Sequence, residues 1–259
     1  MLSLTVLGRE RISPRFMSLT LGGEDVRHLE RSGYDQAGRL FFAAPGQEEA
    51  VFPTSEKWML AHTLQAARHR PRVRTYTIRR FDPERSAFDV EISLREERDP
   101  GGSPAPGNAW ALTAEPGDRV AFLDEGRRYT PAPGAAWQLL VGDESALPAI
   151  LSILEHSGGA LPAEVLVEVP TGDDVRHGFT PPEGVNIHWL PRVDPTTKTG
   201  ELALRAVRET PLRPGPFSTW AAGESALVAG VRRHLVGERG VPRSSITFRG
   251  YWKHGRASL

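Results

Sequence analysis

The sequence predicts a two-domain chain in which an antiparallel β-barrel precedes an α/β domain built on a parallel sheet. Three observations lead there. The first half carries six short apolar or alternating runs set apart by Gly, Pro and Asp clusters, the spacing of a small barrel. The second half alternates apolar strands with helical stripes, a pattern that gives a parallel sheet. Between them, residues 127–134 contain Pro131, Pro133 and Gly134, so the expected domains are 1–130 and 131–259.

In the first half, residues 2–7, 15–21, 39–43, 73–80, 88–94 and 119–123 read as strands. One helix is expected over residues 56–68, with Ser55 as its cap and Trp58, Leu60 and Leu64 as its apolar positions. In the second half, residues 137–141 form an apolar strand ending at Gly142. Leu147, Ile150, Leu151 and Leu154 follow at i, i+3, i+4 and i+7, one helix face, and Pro148 fits in that helix's first turn. Strands at 164–169, 185–190, 217–221 and 246–248 alternate with helices at 202–207 and 225–236.

Composition removes several function classes. Lys plus Arg equals Asp plus Glu at 32 each, and this balance gives no support to nucleic-acid binding. No cysteine is present, so a cysteine nucleophile, a thiolate zinc site and a chain-ligated iron–sulfur cluster are excluded. The short apolar run at residues 1–8 has no basic leader and is interrupted by Arg9, Glu10 and Arg11, and no window has the length of a membrane span. A soluble cytoplasmic protein without membrane insertion is expected.

The residue with the most to say is Arg74, followed by Thr75, Tyr76 and Thr77 on a predicted strand. Alternation places Arg74 and Tyr76 side by side, with Arg72, Ile78 and Arg80 on the same face. A cation beside a flat ring suits a flavin nucleotide, while the simpler reading of the motif alone is a solvated edge strand. Pro106 and Gly107 make a turn, and Asn108 is placed to cap a helix starting at Ala109, whose amides would cradle phosphate; Trp110 follows. Gly142, Asp143, Glu144, Ser145 and Ala146 join a strand to a helix where open parallel sheets bind ligands, and Gly223 and Glu224 repeat the arrangement before Ser225. A serine nucleophile elbow is disfavoured at Ser225, because the last glycine of that motif is missing. Tyr251 and Trp252 are adjacent aromatics expected after the last strand, with Arg249 and Lys253 beside them.

Taken in order, Arg-x-Tyr-Thr at 74–77, Trp-Ala at 110–111, Gly-Asp-Glu-Ser-Ala-Leu-Pro-Ala-Ile at 142–150, Trp-Ala-Ala-Gly-Glu at 220–224 and Gly-Tyr-Trp at 250–252 resemble the siderophore-interacting proteins. These are flavin-dependent ferric-siderophore reductases related to the ferredoxin–NADP reductase superfamily. The resemblance implies a FAD-binding barrel followed by a nicotinamide-binding α/β domain. It implies that Arg74 holds the FAD diphosphate, Tyr76 stacks on the flavin and Thr77 reaches its N5. Residues 106–110 would supply diphosphate and ribose contacts. Gly142 to Ser145, with Gly223 and Glu224, would line the nicotinamide crevice, and Tyr251 and Trp252 would approach the flavin. Arg39, Arg249 and Lys253 would hold the ferric siderophore. The chain departs from the family pattern at Arg95, where histidine is usual, at Ala105, where glycine is usual, and over residues 96–104, which read as an insertion.

The implied reaction passes electrons from NADH or NADPH through FAD to siderophore-bound Fe(III), in a monomer. Ferredoxin is an alternative donor. Two other readings fit the same residues: a general NAD(P)H-dependent flavin reductase without iron specificity, and a flavoprotein that binds the siderophore without reducing it efficiently.

Overall fold

The computed structural model describes residues 1–47, 50–95, 105–194 and 196–255, and the insertion expected over residues 96–104 lies outside them. The chain divides into two compact units: Met1–Ser32 with Gln36–Arg127, and Gly33–Asp35 with Arg128–Ser258.

The first unit is an antiparallel sheet of seven strands, β1 (Leu2–Ser13), β2 (Phe16–Gly22), β3 (Ala37–Phe42), β4 (Arg72–Thr77), β5 (Arg80–Asp82), β6 (Ala87–Ser93) and β7 (Arg119–Asp124), in the order β4-β3-β7-β1-β2-β6-β5. Its two edge strands, β4 and β5, are consecutive in the chain. The Ile78 N–H donates to Gln36 O at 2.9 Å and the Arg79 N–H to Asp89 O at 2.8 Å, so two residues bridge the edges and close the sheet into a barrel. Alternate residues fill it: Leu4 and Val6, Leu19 and Leu21, Leu40 and Phe42, and Phe88, Val90 and Ile92 are all buried. The strand expected over residues 73–80 therefore breaks after Thr77. Ile78 packs in the core, the buried Arg79 pairs with the buried Glu91, and Arg80 belongs to a different strand from Arg74 and Tyr76.

The helix expected over residues 56–68 is shorter. Helix α1 spans Trp58–Leu64; Ser55 Oγ accepts the Lys57 N–H at 3.1 Å, but the cap position is Lys57. Of the three expected apolar positions only Trp58 is buried; Leu60 and Leu64 are 71% and 77% exposed. The reason is angular. Residues i and i+2 on a helix point apart, so Leu60 cannot share the Trp58 face. The i+4 residue His62 does, with its ring centroid 5.3 Å from Trp58, and Trp58 packs edge-on against Phe41 at 4.9 Å.

The second unit is a five-stranded parallel sheet of β8 (Trp137–Gly142), β9 (Ala163–Val169), β10 (Val185–Pro191), β11 (Phe217–Glu224) and β12 (Ile246–Trp252), in the order β10-β9-β8-β11-β12. Helices α3 (Leu147–Ser157), α4 (Glu201–Glu209) and α5 (Ser225–Arg233) provide the helical connections; Pro148 lies in the first turn of α3. Every residue of β8 and β9 is buried, as expected of central strands covered on both faces. The final strand is longer than expected. It continues through Gly250, which pairs with Gly223, to Trp252, which pairs with Glu224 across a register shift. Tyr251 and Trp252 are strand residues, not residues of a following loop. Among the described residues no helix is long and apolar enough to cross a membrane.

Replacing Trp58 with Ala should cost about 3–5 kcal/mol of unfolding free energy. Leu64→Ser should change it by less than about 0.5 kcal/mol. Urea denaturation of both variants checks this, and equal losses would refute the one-sided packing of α1.

Candidate functional site

In the first unit, helix α2 (Pro106–Thr113) starts against β4. A Cβ added at Gly107 would stand 2.3 Å from Tyr76 Oη and 3.9 Å from Arg74 Cγ, so only glycine lets the helix start lie this close to the Arg74–Tyr76 pair. The helix begins three residues earlier than the expected start at Ala109. Pro106 fills the first helical position, and Ala105, at the cap, offers no side-chain acceptor to the first-turn amides. Asn108 is thus inside the helix rather than its cap, and its Nδ2 donates to Arg95 O, tying the end of β6 to α2. Trp110 is buried and stacks on Phe42 at 4.7 Å, supporting the helix from below.

The electrostatics of this corner are positive. Burial lowers the Arg74 pKa from its ordinary value, and Arg72 and Arg95 push it the same way while Tyr76 opposes them. Three guanidinium groups thus lie close enough to repel, beside a helix N-terminus, which suits a diphosphate. Arg74 Nη1 donates to Val73 O at 2.6 Å. Burial pushes the Tyr76 phenol up to about 12, partly offset by Arg74 and Arg95, so the ring is neutral across physiological pH. Thr75 and Thr77 lie on the strand face opposite Arg74 and Tyr76, Thr75 exposed and Thr77 buried. Arg39, expected to meet a ligand, is engaged within the unit: its Nε donates to Glu125 Oε1 at 2.8 Å and its guanidinium lies 5.2 Å from the Trp58 ring centroid.

In the second unit the expected crevice residues do come together, at the carboxyl ends of β8, β11 and β12, but their side chains are spent on one another. Asp143 is fully buried. Its Oδ1 accepts the Ser145 N–H at 2.8 Å and the Ser145 hydroxyl at 2.5 Å; its Oδ2 accepts the Glu224 N–H at 2.6 Å and the Trp252 indole N–H at 3.1 Å. Gly223 has φ 128°, and a Cβ there would meet the Asp143 carboxylate at 2.5 Å. Gly142 and Ala146 pack together where β8 meets α3. Glu224 caps α5, accepting the Ala226 and Leu227 N–H groups, and also accepts from His254 N. The Ser225 hydroxyl donates to Trp252 O at 2.8 Å. Tyr251 meets Trp220 edge-on at 6.5 Å; Arg249 is half-buried and Lys253 exposed.

Two members of this network escaped the sequence reading. Arg192 donates to Glu144 Oε2 at 2.8 Å and Oε1 at 3.1 Å, and to Glu168 Oε1 at 2.8 Å. Glu168 also accepts the N–H groups of Gly200, Leu202 and Ala203 at 2.8, 2.9 and 3.1 Å, at the start of α4. The available signal was Glu168 itself, which with Glu164 is one of two carboxylates inside a fully buried strand.

Residues 5–129 match the family model described as the siderophore-interacting FAD-binding domain, and residues 135–255 match the one described as siderophore-interacting protein. The chain belongs to the siderophore-interacting protein family. It is 29% identical to the ferric vibriobactin reductase ViuB of Vibrio cholerae over 98% of this chain and 89% of that one. Among solved structures, a siderophore utilization protein from T. fusca superimposes with TM-score 0.83 at 31% identity, covering 100% of this chain and 94% of that one. SipS, the siderophore-interacting protein of Aeromonas hydrophila, superimposes with TM-score 0.74 at 26% identity, covering 98% of each chain. The fold is that of the ferredoxin–NADP reductases. The donor set of the first unit fits the dinucleotide cofactor of the family: clustered guanidinium groups and an uncapped helix start for its phosphates, and a neutral phenol ring for its flavin.

Burial, reinforced by Glu144, raises the Asp143 pKa from 3.8 to about 6. The folded state then holds this proton more tightly than the unfolded chain. The resulting stabilisation is full below about pH 4 and is lost as pH rises through about 6. Between pH 4 and pH 7 the wild type should lose on the order of 2–3 kcal/mol relative to Asp143→Asn, which does not titrate. Denaturant unfolding of both proteins across that range measures the difference, and a constant difference would refute the assignment.

Proposed function

We propose that this protein is a FAD-dependent ferric-siderophore reductase, with NADH or NADPH as electron donor. The observation that carries the reading is the Arg74–Tyr76–Gly107 corner, where a cation, a ring and a helix start meet at contact distance. In this reading Arg74 and the amides of Gly107 and Asn108 hold the diphosphate, the Ala109 N–H being taken by Ala105 O, and Arg95 adds positive charge beside them. Tyr76 covers one face of the flavin ring, with Thr75 and Thr77 flanking it, and Trp110 fixes the helix beneath. The backbone of residues 142–146 and of Gly223 and Glu224 lines the nicotinamide crevice. Trp252, held to Asp143 through its indole N–H, and its neighbour Tyr251 fix the β12 side of that crevice.

The bound flavin supplies the redox chemistry, accepting two electrons with a proton and releasing electrons singly to two Fe(III) ions. The protein supplies position and charge. Neither step needs a side-chain acid or base, and none is assigned. Arg249 and Lys253 attract the anionic ferric chelate. Arg39 plays a smaller part than its sequence position suggests, because Glu125 already neutralises it. Hard oxygen ligands hold Fe(II) less tightly than Fe(III), so reduction releases the metal. The protein works in this scheme as a cytoplasmic monomer, and reduced ferredoxin is the alternative donor.

Anaerobic NADH or NADPH should bleach the visible flavin band, and a ferric siderophore should restore it with two Fe(II) trapped per flavin. A protein that binds no FAD would overturn the proposal. Arg74→Ala should remove a charge-assisted contact of about 1.5–3 kcal/mol and weaken FAD binding roughly 10- to 150-fold in a fluorescence titration of the flavin-free protein. Lys253→Glu should lower kcat/KM for an anionic ferric siderophore several-fold at low ionic strength, with the gap closing as salt rises.

A further inference from the structure

A surface helix ordinarily turns its polar side to water. Helix α1 does the reverse. At about 100° per residue, Met59, Thr63, Leu60 and Leu64 follow one another around a single arc, opposite Trp58 and His62, which face Phe41. That arc lies in water: Met59 is 60% exposed, Leu60 71% and Leu64 77%. Val51, 53% exposed, extends it. The Val51 N–H donates to His69 O at 2.9 Å and its carbonyl accepts from Gln65 Nε2 at 3.1 Å, so it is fastened beside the end of α1. Single exposed apolar side chains are ordinary. Here four of the eight large ones among the described residues gather within residues 51–64.

Fixed positive charge brackets this face. Lys57 precedes the helix and Arg68 follows it, both exposed. Arg70 Nη2 donates to Thr63 O at 2.9 Å and to Gln65 O at 2.6 Å, which holds a third cation at the helix's C-terminal end. Against these three, Glu56 is the one carboxylate in residues 55–70, within a chain whose charges balance. Exposed aliphatic side chains with flanking Lys and Arg suit the surface of an anionic bilayer, where lipid headgroups hold the cations and the acyl boundary takes the apolar groups. A protein partner would call for aromatic anchors and a shaped surface. The one large aromatic ring of this helix, Trp58, is buried. Flexible Met and Leu side chains need no complementary shape in a fluid boundary. We propose that the outer face of α1, with Val51, attaches the protein peripherally to an anionic lipid bilayer.

The test is co-sedimentation of the FAD-loaded full chain with vesicles of phosphatidylcholine alone and of equimolar phosphatidylcholine and phosphatidylglycerol. The wild type should bind the anionic vesicles at low salt, far less at high salt, and the neutral vesicles weakly. Leu60→Ser/Leu64→Ser should lower the partition coefficient at least about tenfold, with the denaturation midpoint unchanged because both positions are exposed. Lys57→Glu/Arg68→Glu should lower it several-fold at low salt and leave binding at high salt unaltered. No binding of the wild type to anionic vesicles overturns the proposal. So does equal binding to both vesicles, or binding that survives the two serine substitutions. Sedimentation velocity supplies the remaining outcome: a concentration-dependent dimer that the serine variant abolishes would give this face to a second copy of the chain and overturn the lipid assignment.

Discussion

The second unit depends on one buried carboxylate. Asp143 gathers donors from three places far apart in the sequence: its own turn through Ser145, the end of β11 through the Glu224 N–H, and the end of β12 through the Trp252 indole. Backbone pairing aligns β8, β11 and β12 along their length, but it does not determine how their ends are arranged where a nucleotide would lie. The Asp143 carboxylate does. Four donors make burying it tolerable, and they still do not hold its pKa at the ordinary value, because burial and the neighbouring Glu144 both oppose the charge. The close approach also explains Gly223, where any side chain would collide with the carboxylate.

The first unit solves a different problem. A dinucleotide presents two negative phosphates and a flat ring, and the barrel answers with an edge strand whose alternate residues are a cation and a phenol. Helix α2 meets them at Gly107 with its first-turn amides free of any capping side chain. The repulsion among Arg72, Arg74 and Arg95 is a standing penalty that a bound diphosphate would relieve. The two units thus carry opposite electrostatics, guanidinium groups in one and buried carboxylates in the other. The first arrangement fits a resident anionic cofactor.

Much of this was legible in the sequence wherever a signal is local. The stripe from Leu147 to Leu154 and the apolar run before Gly142 located β8 and α3, because a buried strand and an amphipathic helix each write their period into consecutive residues. The Arg74–Tyr76 adjacency followed from strand alternation alone. What misled were residues whose local meaning is overridden. Gly250 reads as a strand breaker, yet it pairs with Gly223 and the strand continues through it. Leu60 and Leu64 look like core but lie off the face that Trp58 buries. Least legible was the Glu144–Arg192–Glu168 cluster. Its members stand 48 and 24 residues apart and meet only because β8, β9 and β10 are neighbours in the sheet.

The most direct measurement of the central constraint is the indole N–H resonance of Trp252, followed from pH 4.5 to 7.5 and assigned with a Trp252→Phe protein. If the indole donates to a buried Asp143 carboxylate, its shift should move through an inflection near pH 6 that vanishes in Asp143→Asn. A resonance that does not move over that range, or an inflection that survives the Asn substitution, would contradict the account.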